Sequence, residues 1–343
     1  MKSNLSIHSR KSDHLTINSE KDVNSSNTTG LEKFRLIHNA LPEINFVDVD
    51  TSIRIFGKEL SLPLMISSMT GGTDQASEIN QILACSAQKY KIAMGVGSQR
   101  IGIEKERSMD SFKVRKFAPD ILLFSNLGAI QLNNGYTIDD CKKIIDVIDA
   151  DALILHLNPL QEALMENGNT NFSGLLRKIE KVCKNLKVPV IVKEVGWGIS
   201  AQTAKKLVEA GVQAIDVAGA GGTSWSEVEK YRSKNLSDKR IAGGYRDWGI
   251  PTAEAIINIR KELPNSLIFG SGGLRDGVDV IKAIALGANM VGIARKFLIA
   301  TMNSQEELDK IISEISKQIR ITLFALGVKE IKAISPTNIM RIE

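Results

Sequence analysis

No run of 18 consecutive apolar residues occurs in this 343-residue sequence, which excludes a transmembrane helix of ordinary length. The first 25 residues also lack the apolar core of a secretory signal, so a soluble cytoplasmic protein with no membrane span is expected. Cysteine is sparse. Cys85, Cys141 and Cys183 form neither an even set nor a zinc-type spacing, and they read as buried thiols in a reducing compartment. An excess of one charge is missing too: 44 basic residues against 39 acidic ones leave a net charge of +5, spread along the chain, so no nucleic-acid partner is implied.

What the chain does contain is a series of short apolar runs, at 63–69, 92–98, 121–126, 152–158, 189–195, 214–218, 267–270 and 290–293. Each is followed by room for one helix, as parallel strands require, since their connection must cross over the sheet. Several of these helices are legible: 71–89, 137–149 with Thr137 as N-cap, and 200–210 with Ser200 as cap and Gly211 as stop. Continuous rather than alternating apolar runs fit a sheet covered on both faces. An open doubly wound sheet is the rival arrangement, and the count of eight favours a TIM (β/α)8 barrel of the α/β class.

Barrels of about 200 to 400 residues commonly form one domain, so a single domain over 1–343 is expected. Two segments exceed a minimal barrel. Residues 1–60 form an N-terminal arm or cover, in which 46–56 suits a strand or hairpin closing one barrel end. Residues 219–252, inserted after the sixth strand, suit either an active-site lid over the carboxyl face or a surface excursion.

Chemistry-bearing residues collect just after strands. In the segment from Leu155 to Glu162, His156 and Asn158 point to the same side by strand alternation, and Gln161 and Glu162 enter the following loop. There an amide can orient a ligand and Glu162 can hold a hard cation, although an interior histidine and a helix N-terminal acid would look the same. Arg10, Lys11 and His14 near the amino terminus and Arg100 at the end of the second strand offer cations for phosphate, a disordered basic arm being the alternative for the first two. Lys193 closes the fifth strand, where it could form a Schiff base, meet a cofactor's anionic edge or bridge to Glu194. The stretch Ser68 to Gly72 could lie against a flat ring, and Asn126 offers both a donor and an acceptor. The seventh strand ends in Gly270, Ser271, Gly272 and Gly273, followed by Arg275, and Ala294 and Arg295 follow the eighth; in barrels these two loops often bind phosphate.

In order along the chain, the segments 10–14 (RKSDH), 68–72 (SMTGG), 97–100 (GSQR), 156–162 (HLNPLQE), 193–198 (KEVGWG) and 270–275 (GSGGLR) resemble the signature of the type 2 isopentenyl-diphosphate isomerases. RKSDH with HLNPLQE carries the specificity, because the glycine-rich segments also occur in other flavin barrels. The resemblance implies an enzyme that interconverts isopentenyl diphosphate and dimethylallyl diphosphate with reduced FMN and Mg2+, NADPH as reductant, and a homo-oligomer, tetramer or octamer. It implies flavin contacts at Ser68, Met69, Thr70, Ser98, Asn126, Lys193, Thr223, Gly272, Gly273, Arg275, Ala294 and Arg295. Substrate contacts fall on Arg10, Lys11, Arg100, His156, Asn158, Gln161 and Ser200, the metal acid on Glu162, and the catalytic position on Gln161. Trp197 and Leu274 stand where Phe and Ile are commoner, and both keep the aromatic or apolar character.

Moving an isolated double bond requires a proton added at one carbon and another removed beside it, with cationic charge building on a tertiary carbon. Gln161 is neither a good acid nor a good base, which favours proton exchange at the reduced flavin near N5 with Gln161 positioning the alkene or relaying a proton. Two other readings are an FMN oxidoreductase of the 2-hydroxy-acid oxidase type and a non-catalytic flavin-binding protein. The first needs a histidine base after a later strand, and no histidine follows His156.

Overall fold

The computed structural model describes Lys11 and residues 13–342. Its centre is a closed barrel of eight parallel strands, here β1 (Leu64–Ile66), β2 (Ala93–Gly95), β3 (Leu123–Gly128), β4 (Ala152–His156), β5 (Val190–Lys193), β6 (Ala214–Asp216), β7 (Leu267–Ser271) and β8 (Met290–Ile293). All eight expected strands are present in order, and β8 pairs with β1 to close the ring, so the open-sheet alternative does not apply. The helices expected from capping signals also form. Asp74–Tyr90 starts after Thr73, Ile138–Ile148 carries a capping box between Thr137 and Asp140, and Ala201–Glu209 is capped by the Ser200 hydroxyl.

Between β2 and β3 the connection is a five-residue helix, Arg100–Glu104, followed by 3-10 turns rather than one long helix. That segment is tied to the barrel mouth: Ser111 Oγ accepts the Gly72 amide at 2.7 Å, and the Phe112 ring packs on the Gly71 turn. Of the three cysteines, all free, only Cys141 is fully buried; Cys85 and Cys183 are half-buried.

Two extra layers cap the ends. A hairpin, Ile53–Ile55 with Lys58–Leu60, seats Ile55 and Leu60 in one cluster with Met65, Ala93, Phe124, Ala152, Ala214, Phe269 and Met290, the inward side chains at the amino ends of the strands. It plugs that end. The N-terminal segment instead runs over the carboxyl end as a helix over 13–20, and then a strap in which Ser25 N donates to Gly222 O, Ser224 N to Val23 O and Ala253 N to Thr29 O (2.7–2.9 Å). The insertion after β6 folds as two packed helices, Trp225–Arg232 and Leu236–Gly243, the first also packed on Pro159–Leu164 after β4.

Phe269 joins barrel interior and plug, stacking on Phe124 with centroids 6.4 Å apart and meeting Phe56 edge-on. Phe269→Ala should therefore cost about 3–5 kcal/mol, read as a lower midpoint in denaturant melts. A change of less than about 1 kcal/mol would show that the plug does not depend on this ring.

Candidate active site

Strand alternation builds the floor of the site. Met65, Phe124, Ile154, Ile191, Ala214, Phe269 and Met290 face inward at the amino end. Side-chain direction repeats every two residues, so the next inward tier towards the carboxyl end is Ser67, Asn126, His156, Lys193, Asp216 and Ser271, with Gly95 and Gly292 in the remaining places. The apolar core thus ends in a buried polar ring. Gly292 is required there, since a Cβ would stand 2.3 Å from Ser67 Oγ.

Parts of the ring satisfy one another. Ser271 Oγ donates to Asp216 Oδ1 at 2.5 Å, and His156 Nδ1–H donates to Asn126 Oδ1 at 2.8 Å, fixing the imidazole. Burial pushes the Asp216 carboxyl upward, while the adjacent Lys193 charge and the Ser271 hydroxyl act against it. Lys193 itself donates to the Glu194 carbonyl at 2.5 Å; the Glu194 carboxylate is occupied by the amides of Val195, Gly196 and Trp197. Of the three readings of Lys193, the bridge to Glu194 is thus made to its carbonyl and not to its carboxylate. Ser67 Oγ, Ser68 Oγ, Asn158 Oδ1 and Asp216 Oδ2 are buried without a hydrogen-bond partner among the described residues. Each such atom costs about 1–3 kcal/mol unless something binds it, which marks the ring as a ligand floor.

Above it lies a cleft of about 720 Å3, within the roughly 300–1,000 Å3 range of small-molecule sites. On one side, Gly272 and Gly273 have φ of 105° and 81°, and a Cβ on either would stand 2.1 to 2.3 Å from the Gly219 or Gly221 carbonyl oxygen. Only glycine fits this turn. Beside it, the helix Arg295–Asn303 begins at Ala294 with no side-chain cap; Phe297 N donates to Ala294 O, and the Arg295 and Lys296 amides and the helix dipole suit an anion. A cofactor phosphate fits this end, and a ring with hydrogen-bonding edges fits the polar floor.

The other side carries the polar side chains after β4. Asn158 leads into Pro159–Leu164, in which Gln161 and Glu162 are buried. Asn158 Nδ2 donates to Gln161 Oε1 at 3.1 Å and to Glu162 Oε1 at 3.2 Å, and Asn169 N donates to Glu162 Oε2 at 2.6 Å. Gln161 Nε2 donates to Glu229 Oε1 at 3.0 Å. Glu229, only 3 % exposed, also meets His14 Nε2 at 3.2 Å and accepts from Arg232 Nη1 at 2.6 Å. Burial opposes its ionisation, but the His14 bond and charge, the Gln161 amide and Arg232 outweigh it and hold its pKa down at about 2. Lys11 Nζ bonds the carbonyls of Gly71 (2.5 Å) and Ser98 (2.9 Å), and so sits in the mouth.

The expected site residues Ser68, Met69, Thr70, Ser98, Asn126, Lys193, Thr223, Gly272, Gly273, Arg275, Ala294 and Arg295 line this one cleft together with Lys11, Arg100, His156, Asn158, Gln161 and Glu162. Arg10 lies outside the described residues. Ser200 lies elsewhere: its hydroxyl accepts the Thr203 amide at 3.2 Å as a helix cap and borders a separate surface cleft with Ile250 and Glu262. Glu229 and Asp216 escaped the sequence reading. Glu229 sits inside a long polar insertion with no local cue, whereas Asp216 ends a barrel strand, a position that by itself signals an inward polar group.

The family model for FMN-dependent dehydrogenases matches residues 10–107 and 142–341. Solved structures of similar fold include a flavocytochrome b2 variant with pyruvate bound (TM-score 0.71, 18% identity, covering 96% of this chain and 82% of that one) and a mandelate oxidase variant with (S)-mandelic acid (0.67, 18%, 97% and 96%). At that identity they show the fold alone. Curated relatives named isopentenyl-diphosphate delta-isomerase are far closer: 53% identical over 320 residues in Nostoc sp., covering 93% of this chain and 91% of the relative. Those of Rickettsia canadensis and Oceanobacillus iheyensis are 48% and 44% identical, covering 96% and 97% of both chains. The chain belongs to the isopentenyl-diphosphate delta-isomerase family, an enzyme family set on the FMN-dependent dehydrogenase barrel.

Proposed function

We propose that the cleft binds reduced FMN and a diphosphate substrate side by side and interconverts isopentenyl and dimethylallyl diphosphate. The observation that carries this reading is the bonding of Gln161, an amide fixed between Asn158 and the ionised Glu229 at the edge of a cleft with an anion cradle across from it. Gly272, Gly273, Ala294 and the Arg295 amide would hold the flavin phosphate, with Thr223 and Arg275 at the rim. Ser68, Met69, Thr70, Ser98, Asn126 and Lys193 would meet the ring. Arg10, Lys11, Arg100, His156 and Asn158 would hold the diphosphate, and the placement of Ser200 does not support it in that set. Mg2+ is typically held by one or two carboxylates with substrate phosphates and water, and Glu162 supplies such a carboxylate beside Asn158.

Reduced flavin, when bound, supplies a proton-exchanging N5 position and an electron-rich face for a developing tertiary cation. The protein's own part is positional and electrostatic. Donation from Gln161 Nε2 to a carboxylate polarises the amide and makes Oε1 a stronger acceptor, while Asn158 fixes which way that oxygen points. Glu229 adds a permanent negative charge one hydrogen bond behind the reacting group. The helix over 13–20 and the 219–252 insertion close over the cleft as arm and lid of a single barrel domain, excluding water that would quench a cation. NADPH is the proposed reductant. A cytoplasmic location suits the three free cysteines, and exposed Tyr231, Leu236, Ile241 and Trp248 on the insertion suit a homo-oligomer, tetramer or octamer.

Protein reduced anaerobically and given Mg2+ should convert isopentenyl diphosphate to the dimethylallyl isomer with no stoichiometric loss of NADPH, and oxidised protein should be nearly inactive. Flavin re-oxidised in step with product would instead mark an oxidoreductase, and a fully active reduced 5-deaza flavin would remove N5 from the chemistry. Glu162→Gln should keep flavin bound but raise the Mg2+ concentration for half-maximal activity about 10- to 100-fold, because the new amide also sets a donor against either Asn169 N or Asn158 Nδ2. An unchanged Mg2+ titration removes Glu162 from that role. Glu229→Gln should lower kcat about 100-fold or more with the flavin spectrum retained. Because the folded pKa of Glu229 is depressed, its charge and the stability it contributes are fully present above the ordinary carboxyl pKa and are lost only as pH falls towards about 2. Any loss of activity on acidifying from neutral pH therefore belongs to another group and should persist in Glu229→Gln.

A further inference from the structure

Arg295 takes part in two sites. Its backbone opens the helix Arg295–Asn303 at the cofactor end of the cleft. Its guanidinium is committed to the N-terminal segment: Nε donates to Asn18 O at 2.9 Å, Nη1 to Asn24 Oδ1 at 2.8 Å and Nη2 to Lys21 O at 3.1 Å. The last carbonyls of a helix have no intrahelical partner, and a cation there also meets the negative end of the helix dipole. The Asn18 and Lys21 carbonyls are those of the closing turn of the helix over 13–20. At the other end of the same segment, Lys11 reaches the Gly71 and Ser98 carbonyls and His14 reaches Glu229.

We propose that Arg295 is a positioning residue for the diphosphate: its side chain clasps the C-terminal end of the arm helix and so keeps Lys11 and His14 seated across the mouth, while only its backbone serves the cofactor phosphate. This rests on the assignment of the cleft given above. The geometry separates two roles that one arginine beside a phosphate would otherwise share. A lysine replaces it only in part, because a single point charge does not span three acceptors held in a fork.

The test compares wild type, Arg295→Ala and Arg295→Lys as FMN-loaded holoenzymes, by hydrogen exchange across residues 13–24 and by steady-state kinetics. Loss of hydrogen bonds to a charged group should speed exchange in that segment about tenfold or more in Arg295→Ala, and partly in Arg295→Lys, with the barrel strands unchanged. KM for isopentenyl diphosphate should rise by a similar factor, kcat should fall less, and FMN affinity should change by no more than a few-fold. Unaltered exchange at 13–24 overturns the clasp. So does a loss of FMN with the arm still protected, which would make the guanidinium a phosphate ligand. Should Arg295→Ala fail to fold, Asn24→Ala removes one acceptor from the arm side and should shift exchange and KM the same way by a smaller amount; no shift overturns the proposal. The exchange measurement needs no turnover, so a wild-type protein that failed to isomerise its substrate would refute the proposed function and leave the clasp standing.

Discussion

Alternation along eight parallel strands forces Ser67, Asn126, His156, Lys193, Asp216 and Ser271 into one buried cross-section of the barrel. A polar atom buried there without a partner costs about 1–3 kcal/mol, and an unpaired charge costs more. The ring answers this in two ways. Neighbouring strands pair what they can, Asn126 with His156 and Ser271 with Asp216, and they set Lys193 in register beside Asp216. What remains, including Ser67 Oγ and Asp216 Oδ2, is left to a ligand. Stability and binding are then one problem, because the unpartnered atoms that cost stability are those a ligand laid on them would satisfy.

The ring also accounts for how much the sequence disclosed. All eight strands were legible because each is a continuous apolar run, but several were read too long. Met69, Ser98, Asn158, Val195 and Ala218 extend such runs yet lie beyond the last paired residues of β1, β2, β4, β5 and β6. These overshoots are where the chain leaves the ladder to line the cleft, so the site lies where periodicity stops being informative. Most of the lining was named through the resemblance to the isomerase family rather than through local pattern. Ser200 shows the limit of the method, since a serine before a helix is equally well a cap, and here the cap prevails.

Glu229 and His14 could not be placed from sequence because neither belongs to a barrel strand. Each arrives on an added layer, the insertion after β6 and the N-terminal helix, and the two layers are tied together by the strap through Val23, Ser25 and Thr29. His14 stands edge-on to Trp225, with ring centroids 5.1 Å apart, while it bonds Glu229. The insertion thus brings Gln161 its polarising carboxylate, and the arm helix bonds the same carboxylate through His14. Such dependence on contacts more than 200 residues apart in sequence, as between His14 and Glu229, leaves no trace in local pattern.

Hydroxy-acid oxidation and alkene isomerisation ask different things of a site. Oxidising a hydroxy acid requires a base for a proton bound to carbon next to a carboxylate, and a strong base at a strand end would serve. Isomerising an unactivated alkene passes through positive charge instead: a proton is added at one carbon and another is removed beside it, so the site must stabilise charge and control which proton leaves. Here Gln161 presents an amide to the cleft, and the carboxylate bonded to that amide, Glu229, also takes hydrogen bonds from His14 and Arg232. With its pKa held down at about 2, Glu229 contributes charge without basicity. A site that must stabilise a cation yet not deprotonate it indiscriminately needs that combination, and the barrel obtains it from its two added layers, above the polar ring.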